Sequence, residues 1–452
     1  MLLVWDHDRT PASRLGGDLV SRSSSRIGAV ALAIACCVAA AVPVIAQDPP
    51  GKPSAADLFE QTLAAEGLDA AVARLSEALA DTAEPYVIDP YVLAIDLPAR
   101  LVLRHQRVEA LGLVKALEPL FGDEPRYWVE LGKAHLRCAN AREARETLTR
   151  ARDLPGNPAD LAWMVEHLDE LVANAKQQAE LEDELVPGEA TGLTGPYLGQ
   201  SPLGRTPEVF APGILSTTAH EYHVSFAPDG SEIYFSRSRV GTLVTRRGAG
   251  GWTVPEKIDL IDGDHLTEEA NLTPDGRSII FCGRSGRRDK RVLYRAERTP
   301  DGWSTPTRLF PGMYATSTLD GTMYYTARGE GRDYGAIVKR RRIGDGYGVP
   351  EVVPGEGINT GFPDAHPWIA PDESLLLFDS YREPGAGIYA SFRRADGTWS
   401  PAVCLNDHLG IPPVGQCALS NDGKYLFFCL AGDMYWVDAG FLDELRPAEE
   451  DD

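Results

Sequence analysis

Phe226-Ala-Pro-Asp-Gly230, followed at once by Ile233-Tyr234-Phe235, is the stretch on which the fold turns. An apolar run ends there in Asp-Gly, a pair suited to a tight corner because Asp bonds its own backbone and Gly accepts positive φ. The same grammar returns as Leu272-Thr-Pro-Asp-Gly276, Ser317-Thr-Leu-Asp-Gly321, Ile369-Ala-Pro-Asp-Glu373 and Leu419-Ser-Asn-Asp-Gly423. A second apolar run follows each corner: Ile279-Ile-Phe281, Met323-Tyr-Tyr325, Leu375-Leu-Leu-Phe378 and Tyr425-Leu-Phe-Phe428. A third strand is expected around Leu293-Tyr294, Ile337-Val338, Ile388-Tyr389 and Met434-Tyr435-Trp436.

A second marker recurs between the corners. Gly251-Trp252-Thr-Val-Pro255 matches Gly302-Trp303-Ser-Thr-Pro306, Gly346-Tyr347-Gly-Val-Pro350 and Thr398-Trp399-Ser-Pro401. Each is expected to open a fourth strand, with Pro at its start or on an outer edge where no ladder donor is missed. The corner aspartates are 46, 45, 52 and 50 residues apart. Four strands per repeat at that period mean propeller blades, so residues 206–441 are expected to form a five-bladed β-propeller. The fifth repeat lacks its fourth strand, while a copy of that strand, Thr206-Pro207-Glu208-Val209-Phe210, precedes the first. It should complete the last blade and remove the ring's open edge.

These repeats resemble the WD40-like (PD40) propeller repeat of the TolB-like group. Gly195-Pro-Tyr-Leu-Gly-Gln-Ser-Pro and Thr206-Pro-Glu-Val-Phe-Ala-Pro also resemble the beginning of bacterial exported proteins of that kind. The resemblance covers residues 195–440 and implies a periplasmic or secreted binding platform, without naming a reaction.

Before the propeller the pattern is helical. From residue 55 to residue 184 the chain is Ala- and Leu-rich, with apolar residues three and four apart. Trp128, Leu131, Gly132 and His135, then Ala144, Leu148, Ala151 and Pro155, resemble a tetratricopeptide repeat. In such a hairpin Gly132 would admit the facing helix and Ala144 would fill the position opposite. The fold class expected is thus multidomain: a helical-repeat domain (55–184), a Gly/Pro-rich linker (185–205), the propeller, and an acidic tail (442–452).

The first 46 residues read as a secretory signal peptide with a basic leader, an apolar run from Ile27 to Ala46, and a flexible lead-in over 47–54. The alternative is a membrane anchor formed by residues 27–46, since about 20 apolar residues can span a bilayer. A periplasmic or secreted location follows from the first reading. Five cysteines remain beyond the leader (Cys138, Cys282, Cys404, Cys417 and Cys429), an odd number without a Cys-x-x-Cys pair, so neither a disulfide framework nor a zinc site is indicated. Cys282 and Cys429 follow Phe281 and Phe428 at matching positions and are expected to be small core residues. The net charge of −22 and the lack of a basic block exclude a nucleic-acid binder. The Lys339-Arg340-Arg341-Arg342 cluster reads as a solvated sheet edge.

Catalytic signatures are sparse. The chain has no Gly-x-Ser-x-Gly elbow, His-Glu-x-x-His helix or phosphate loop, and no cofactor or metal is expected; Asp262-Gly-Asp264 reads as a solvated turn. Aligning the blades on their corner aspartates gives one constellation. Six residues before each corner lie His223, Glu269, Tyr314, His366 and Gln416, while the next position holds Val224, Ala270, Ala315, Pro367 and Cys417. Strand alternation would put the two sets on opposite faces and set a polar ring, flanked by Glu221, Glu268 and Asp364, near one mouth of the channel. Such a ring could bind a small polar ligand or do acid–base work with its carboxylates, or it could simply face water. The preferred function is a non-catalytic envelope protein that binds a protein or peptide partner. A carbohydrate-active hydrolase or lyase and a small-ligand sensor are the alternatives.

Overall fold

The computed structural model describes residues 52–447 apart from 82–85, 156–159, 202–203, 262–264, 286–290, 329–334 and 383–384. The leader with its anchor alternative, Asp262 and Asp264, and the acidic residues 448–452 lie outside the described residues. Two helices begin the described chain, α1 (Ala55–Glu66) and α2 (Leu68–Ala80). Ser54 caps the first, accepting from the Ala56 N–H at 3.1 Å. A π-turn at Val92–Asp96 leads into α3 (Leu97–Leu103), followed by α4 (Arg107–Ala116), α5 (Glu118–Phe121), α6 (Pro125–Arg137), α7 (Ala141–Asp153), α8 (Leu161–Glu166) and α9 (Leu168–Glu182). The helices α6 and α7 form the closely packed hairpin expected from Gly132. A Cβ there would lie 2.4 Å from Leu148 Cδ2, so the Leu148 side chain fills the space that only glycine leaves.

The rest is a ring of five sheets, each four strands from the axis outward. Blade 1 comprises Glu221–Phe226, Glu232–Arg237, Gly241–Gly248 and Glu256–Lys257. Blade 2 comprises His265–Leu272, Ser278–Ser285, Val292–Thr299 and Thr307–Pro311. Blade 3 runs Met313–Ser317, Met323–Arg328, Gly335–Arg340 and Glu351–Val352; blade 4 runs Asp364–Ile369, Leu375–Ser380, Gly387–Phe392 and Val403–Cys404. Blade 5 takes three strands from the C-terminal part, Gly415–Leu419, Tyr425–Leu430 and Asp433–Asp438. Its fourth is Glu208–Val209, paired antiparallel as Glu208↔Trp436 and Val209↔Tyr435. The Phe210 N–H extends this seam to the Met434 carbonyl at 2.7 Å. The closure expected from Pro207 is therefore present.

All five corners are built alike. Asp229, Asp275, Asp320, Asp372 and Asp422 each accept, through Oδ1, the N–H two residues on, at 2.9, 3.0, 2.9, 3.0 and 3.2 Å. The residue after each Asp is left-handed, including Glu373 at φ 64° where the other corners have Gly. The aromatic-Pro marker behaves differently from expectation in one respect. Gly251–Trp252 pairs back on the end of the third strand, and only after Pro255 does the outer strand begin. The Trp prolongs one hairpin, and the Pro starts the next strand.

Apolar cores lie between blades. Phe226, Phe235 and Trp252 of blade 1 meet Phe427 and Trp436 of blade 5 and Phe210 of the closing strand; a similar cluster fills each of the other four junctions. Two segments at the domain margins join these cores. Residues 188–198, assigned to the linker by composition, hydrogen-bond along blade 1, and Tyr197 packs on Phe226, Tyr425 and Trp436. The start of the acidic tail is a short helix, α10 (Phe441–Leu445), counting only the helices labelled here; Phe441 and Leu442 are buried against blades 4 and 5.

The helical domain sits on the loop that leads into blade 1. Glu182 accepts from the Thr218 N–H and hydroxyl, both at 2.7 Å, and from Arg107 at 2.9 Å. Arg137 donates to the Thr218 carbonyl at 3.0 Å, and Gln178 to Asp433 at 2.8 Å. Trp163 lies edge-on to Tyr435 with ring centres 6.2 Å apart. These contacts fix the helices to blades 5 and 1.

Candidate functional site

The five aligned positions converge on the propeller axis. Each sits at a register shift in its innermost strand and has positive φ: His223 58°, Glu269 54°, Tyr314 45°, His366 50° and Gln416 56°. Left-handed backbone is costly for residues with a Cβ, and five repetitions make it part of the architecture. The bulge breaks the two-residue period, so simple alternation did not apply at this point. The side chains of His223 and Tyr314 nonetheless point inward. Contacts between non-neighbouring blades establish this, since only the axis brings such blades together.

Tyr314 occupies the centre. Its ring lies edge-on to His223 and to His366, each with ring centres 5.1 Å apart, and its phenol donates to the Cys417 carbonyl at 3.2 Å. The Tyr314 N–H donates to Glu269 Oε2 at 2.9 Å. One residue of blade 3 thereby touches all four other blades. All five side chains are buried, so the ring plugs the channel instead of lining an open mouth.

Residues that the blade alignment missed hold the bulges in place. The second strand contributes the residue after its aromatic: Ser236, Thr326 and Asp379. Ser236 Oγ accepts the Glu269 N–H at 2.9 Å, Thr326 Oγ1 accepts the His366 N–H at 2.8 Å, and Asp379 Oδ1 reaches the Gln416 N–H at 3.5 Å. Each thus satisfies the bulge amide of the next blade. The signal lies in the sequence as Phe235-Ser236, Phe281-Cys282, Tyr325-Thr326, Phe378-Asp379 and Phe428-Cys429, a small or polar residue after each aromatic. Cys282 is buried and Cys429 half-buried, and all five cysteines of the described chain are free thiols.

The charges at the axis are unequal. Burial disfavours a charged His366, yet Asp379, 2.7 Å from Nδ1, and Glu269 more than offset this and raise its pKa. His223 has no such partner. Burial lowers its pKa to about 4, only partly opposed by Glu269 and Asn271. Neither ring nitrogen of His223 has a hydrogen bond of normal geometry, and His366 Nε2 and Asp379 Oδ2 lack one too. Burial also disfavours charge on Arg291, 3.7 Å from Glu269, but Glu269 together with Cys282, Glu268 and Tyr222 outweighs it and raises the guanidinium pKa.

Two of the flanking carboxylates are tied into structural clamps. Glu221 accepts from the Thr217 N–H at 3.0 Å, from its hydroxyl at 2.6 Å and from Arg237 at 2.6 Å. Asp364 repeats the arrangement with the Thr360 N–H at 2.7 Å, its hydroxyl at 3.1 Å and Arg382 at 3.4 Å. In both, a Thr four residues earlier and an Arg at or just beyond the end of the second strand fasten the loop that feeds the blade. Glu268, on the innermost strand of blade 2, is also buried. Among the described residues no three His, Cys, Asp or Glu side chains group as metal ligands, and no helix is long and apolar enough to cross a membrane.

No family model matches the sequence, and no curated protein matches it either. Solved structures similar to the chain include a candidate TolB from Agrobacterium tumefaciens (20% identity over 47% of this chain and 70% of that one, TM-score 0.35). TolB from Acinetobacter baumannii matches at 14% identity, 61% and 70% coverage and TM-score 0.34. A gluconolactonase from Xanthomonas campestris matches at 12% identity, 56% and 95% coverage and TM-score 0.33. The architecture that the chain itself displays is a five-bladed propeller joined to an N-terminal helical domain.

Proposed function

We propose that this chain is a non-catalytic platform, exported by its leader, that binds a protein or peptide partner in the bacterial envelope. The observation that carries this reading is the plugged axis. The ring residues contact one another, and the carboxylates that a glycosidase would need are already engaged: Glu269 by the Tyr314 amide, Glu221 and Asp364 by their Thr and Arg partners. The helical domain, bonded to blade 5 and to the loop before blade 1, forms one compact unit with the propeller and offers broad outer surfaces, the kind of shape suited to partners rather than to enclosing a reaction. Export and periplasmic residence belong to the same proposal, as does use of the helical hairpins as a peptide-binding repeat.

Cross-linking a tagged full-length chain in cells tests this. A discrete cross-linked partner that survives stringent washing is the expected result. Turnover of a polysaccharide or sugar lactone by the purified chain, abolished by Glu269→Gln, would overturn it.

One observation favours a second reading. His223 is a buried imidazole with neither nitrogen in a hydrogen bond of normal geometry, and such groups usually have one. A small polar ligand entering beside it would satisfy them, and calorimetry comparing the intact chain with a His223→Ala, His366→Ala double variant tests for that sensor role.

A further inference from the structure

Blade 1 shows what this propeller does with its aromatic-Pro edge. Residues 188–193 run antiparallel along it: the Gly188 N–H bonds the Val254 carbonyl at 3.0 Å and the Val254 N–H bonds the Glu189 carbonyl at 2.7 Å. The Thr191 N–H bonds the Trp252 carbonyl at 2.8 Å and the Trp252 N–H bonds the Leu193 carbonyl at 2.8 Å. The chain adds a strand to itself, and Trp252 and Val254 end up 1% and 7% exposed.

Blade 3 repeats the edge, and no strand among the described residues is added to it. Arg342↔Tyr347 and Ile343↔Gly346 pair as Arg247↔Trp252 and Gly248↔Gly251 do. The Gly348 N–H bonds the Arg341 carbonyl at 2.9 Å, as the Thr253 N–H bonds that of Arg246 at 2.9 Å. This register makes Tyr347 and Val349 the counterparts of Trp252 and Val254. Because successive residues of a strand present their amides and carbonyls to opposite sides, those of Tyr347 and Val349 face outward. Val349 is 77% exposed, with Ile343 at 67% and Val352 at 53% beside it.

The other blades do not offer this edge. In blade 4 the counterpart is Pro401, which has no N–H to give, and in blade 2 it is the polar Thr305; blade 5 is closed by Glu208–Val209. Only blade 3 repeats the Val-Pro of blade 1, as Val349-Pro350. Open apolar edges invite strand addition, and proteins ordinarily blunt them. The neighbourhood is basic, with Lys339, Arg340, Arg341 and Arg342 against Asp345 and Glu351, in a chain whose net charge is −22. Arg341 is largely exposed and only loosely paired with Glu351 at 3.8 Å.

We propose that the Gly346–Val349 edge of blade 3 is a docking site for an extended acidic segment of a partner protein, which adds to it as residues 188–193 add to blade 1. The segment would bond the main chain of Tyr347 and Val349, lay an apolar side chain against Val349, and set its carboxylates toward Arg341 and Arg342. This deepens the platform reading and rests on it.

The probe is a fluorescein-labelled peptide, Asp-Glu-Gly-Glu-Ala-Thr-Gly-Leu-Thr-Gly, which places two acidic residues before the sequence of residues 188–195. Anisotropy titration should show saturable binding to the full chain, and a peptide with Lys in place of its acids should not bind. Val349→Pro removes the outward donor and Arg341→Glu reverses the charge; each should weaken binding at least about tenfold, with the melting temperature unchanged. No binding to the parent chain overturns the proposal, as does binding unaltered by both variants. A concentration-dependent dimer abolished by Val349→Pro would assign the edge to a second copy and also overturn it. Cross-linked partners that persist in the Val349→Pro variant would leave the platform reading standing while this site fails.

Discussion

The phenol of Tyr314 reaches across the propeller axis and donates to the main-chain carbonyl of Cys417, 3.2 Å away, so blade 3 is bonded directly to blade 5. Most inter-blade adhesion is apolar and runs between neighbours, whereas this bond spans the ring. Tyr314→Phe keeps the ring contacts with His223 and His366 and loses only the hydrogen bond, for a cost of about 1 kcal/mol. Tyr314→Ala empties the axis and should cost ~3–5 kcal/mol. Urea denaturation of the three proteins checks the order. An equal loss in both variants would mean that the hydroxyl, and not the plug, holds the axis together.

The axis should also make the propeller acid-sensitive. Burial lowers the pKa of His223 to about 4, and that of His220 likewise to about 4, with Lys133 and Arg137 adding to the effect. Below the ordinary histidine pKa the unfolded chain takes up protons that these folded imidazoles refuse. Stability therefore falls as pH drops from about 6.5 towards 4, by up to about 1.4 kcal/mol per pH unit for each group. His366 has the opposite sign: its pKa is raised, so its contribution is present at low pH and disappears as pH rises through the folded value. His223→Phe removes one titrating group while filling the space. Between about pH 7.5 and about pH 4.5 the variant should lose less stability than the parent, by on the order of 2 kcal/mol. Parallel pH profiles for the two would show that His223 protonates freely in the folded protein.

Closure by the N-terminal strand predicts a local weak point. Phe210 is buried, with ring centres 5.1 Å from Phe427 and 5.0 Å from Trp436. Phe210→Ala should cost ~3–5 kcal/mol and loosen the seam. In hydrogen exchange, the amides of Met434 and Trp436, which face the closing segment, should lose protection before those of the second strand of blade 3. Uniform loss over all five blades would indicate that the ring opens only with global unfolding.

The blade grammar was legible because it is written in local chemistry. An Asx corner needs Asp and a left-handed successor, and an outer edge tolerates Pro, so both leave fixed residues at fixed intervals. The axial ring was found by position, but its burial was not foreseen. Alternation assigns sides and says nothing about how wide a five-bladed channel is, and the bulges that aim His223 and its counterparts carry no glycine to announce them. Asp379 was missed because a single acid inside Leu375-Leu-Leu-Phe-Asp379 looks like the end of a strand until a neighbouring blade supplies Gln416. The segment 188–195 misled in the other direction. Its glycines read as a linker, yet it packs on the blade, where Gly251 admits it: a Cβ on Gly251 would lie 2.4 Å from the Leu193 carbonyl oxygen.

The seat of the helical domain is polar, and its strength should show as coupling. Glu182 and Arg107 are each about nine-tenths buried and meet at Thr218, where one carboxylate accepts an amide, a hydroxyl and a guanidinium. Removing one partner of a buried pair costs ~3–5 kcal/mol where the other is left alone, whereas removing both costs less than the sum; here Asp183, 3.1 Å from Arg107, and Thr218, bonded to Glu182, reduce that cost. Arg107→Ala and Glu182→Ala should therefore each destabilise the chain by more than about 2 kcal/mol, and the double variant by little more than either one. Thermal unfolding of the single variants should separate into two transitions, the helical domain leaving the propeller first, since α9 is held to the loop before blade 1 through this cluster and to blade 5 through the Gln178–Asp433 bond. Strictly additive losses within a single transition would place the grip elsewhere, at the apolar contact of Trp163 with Tyr435.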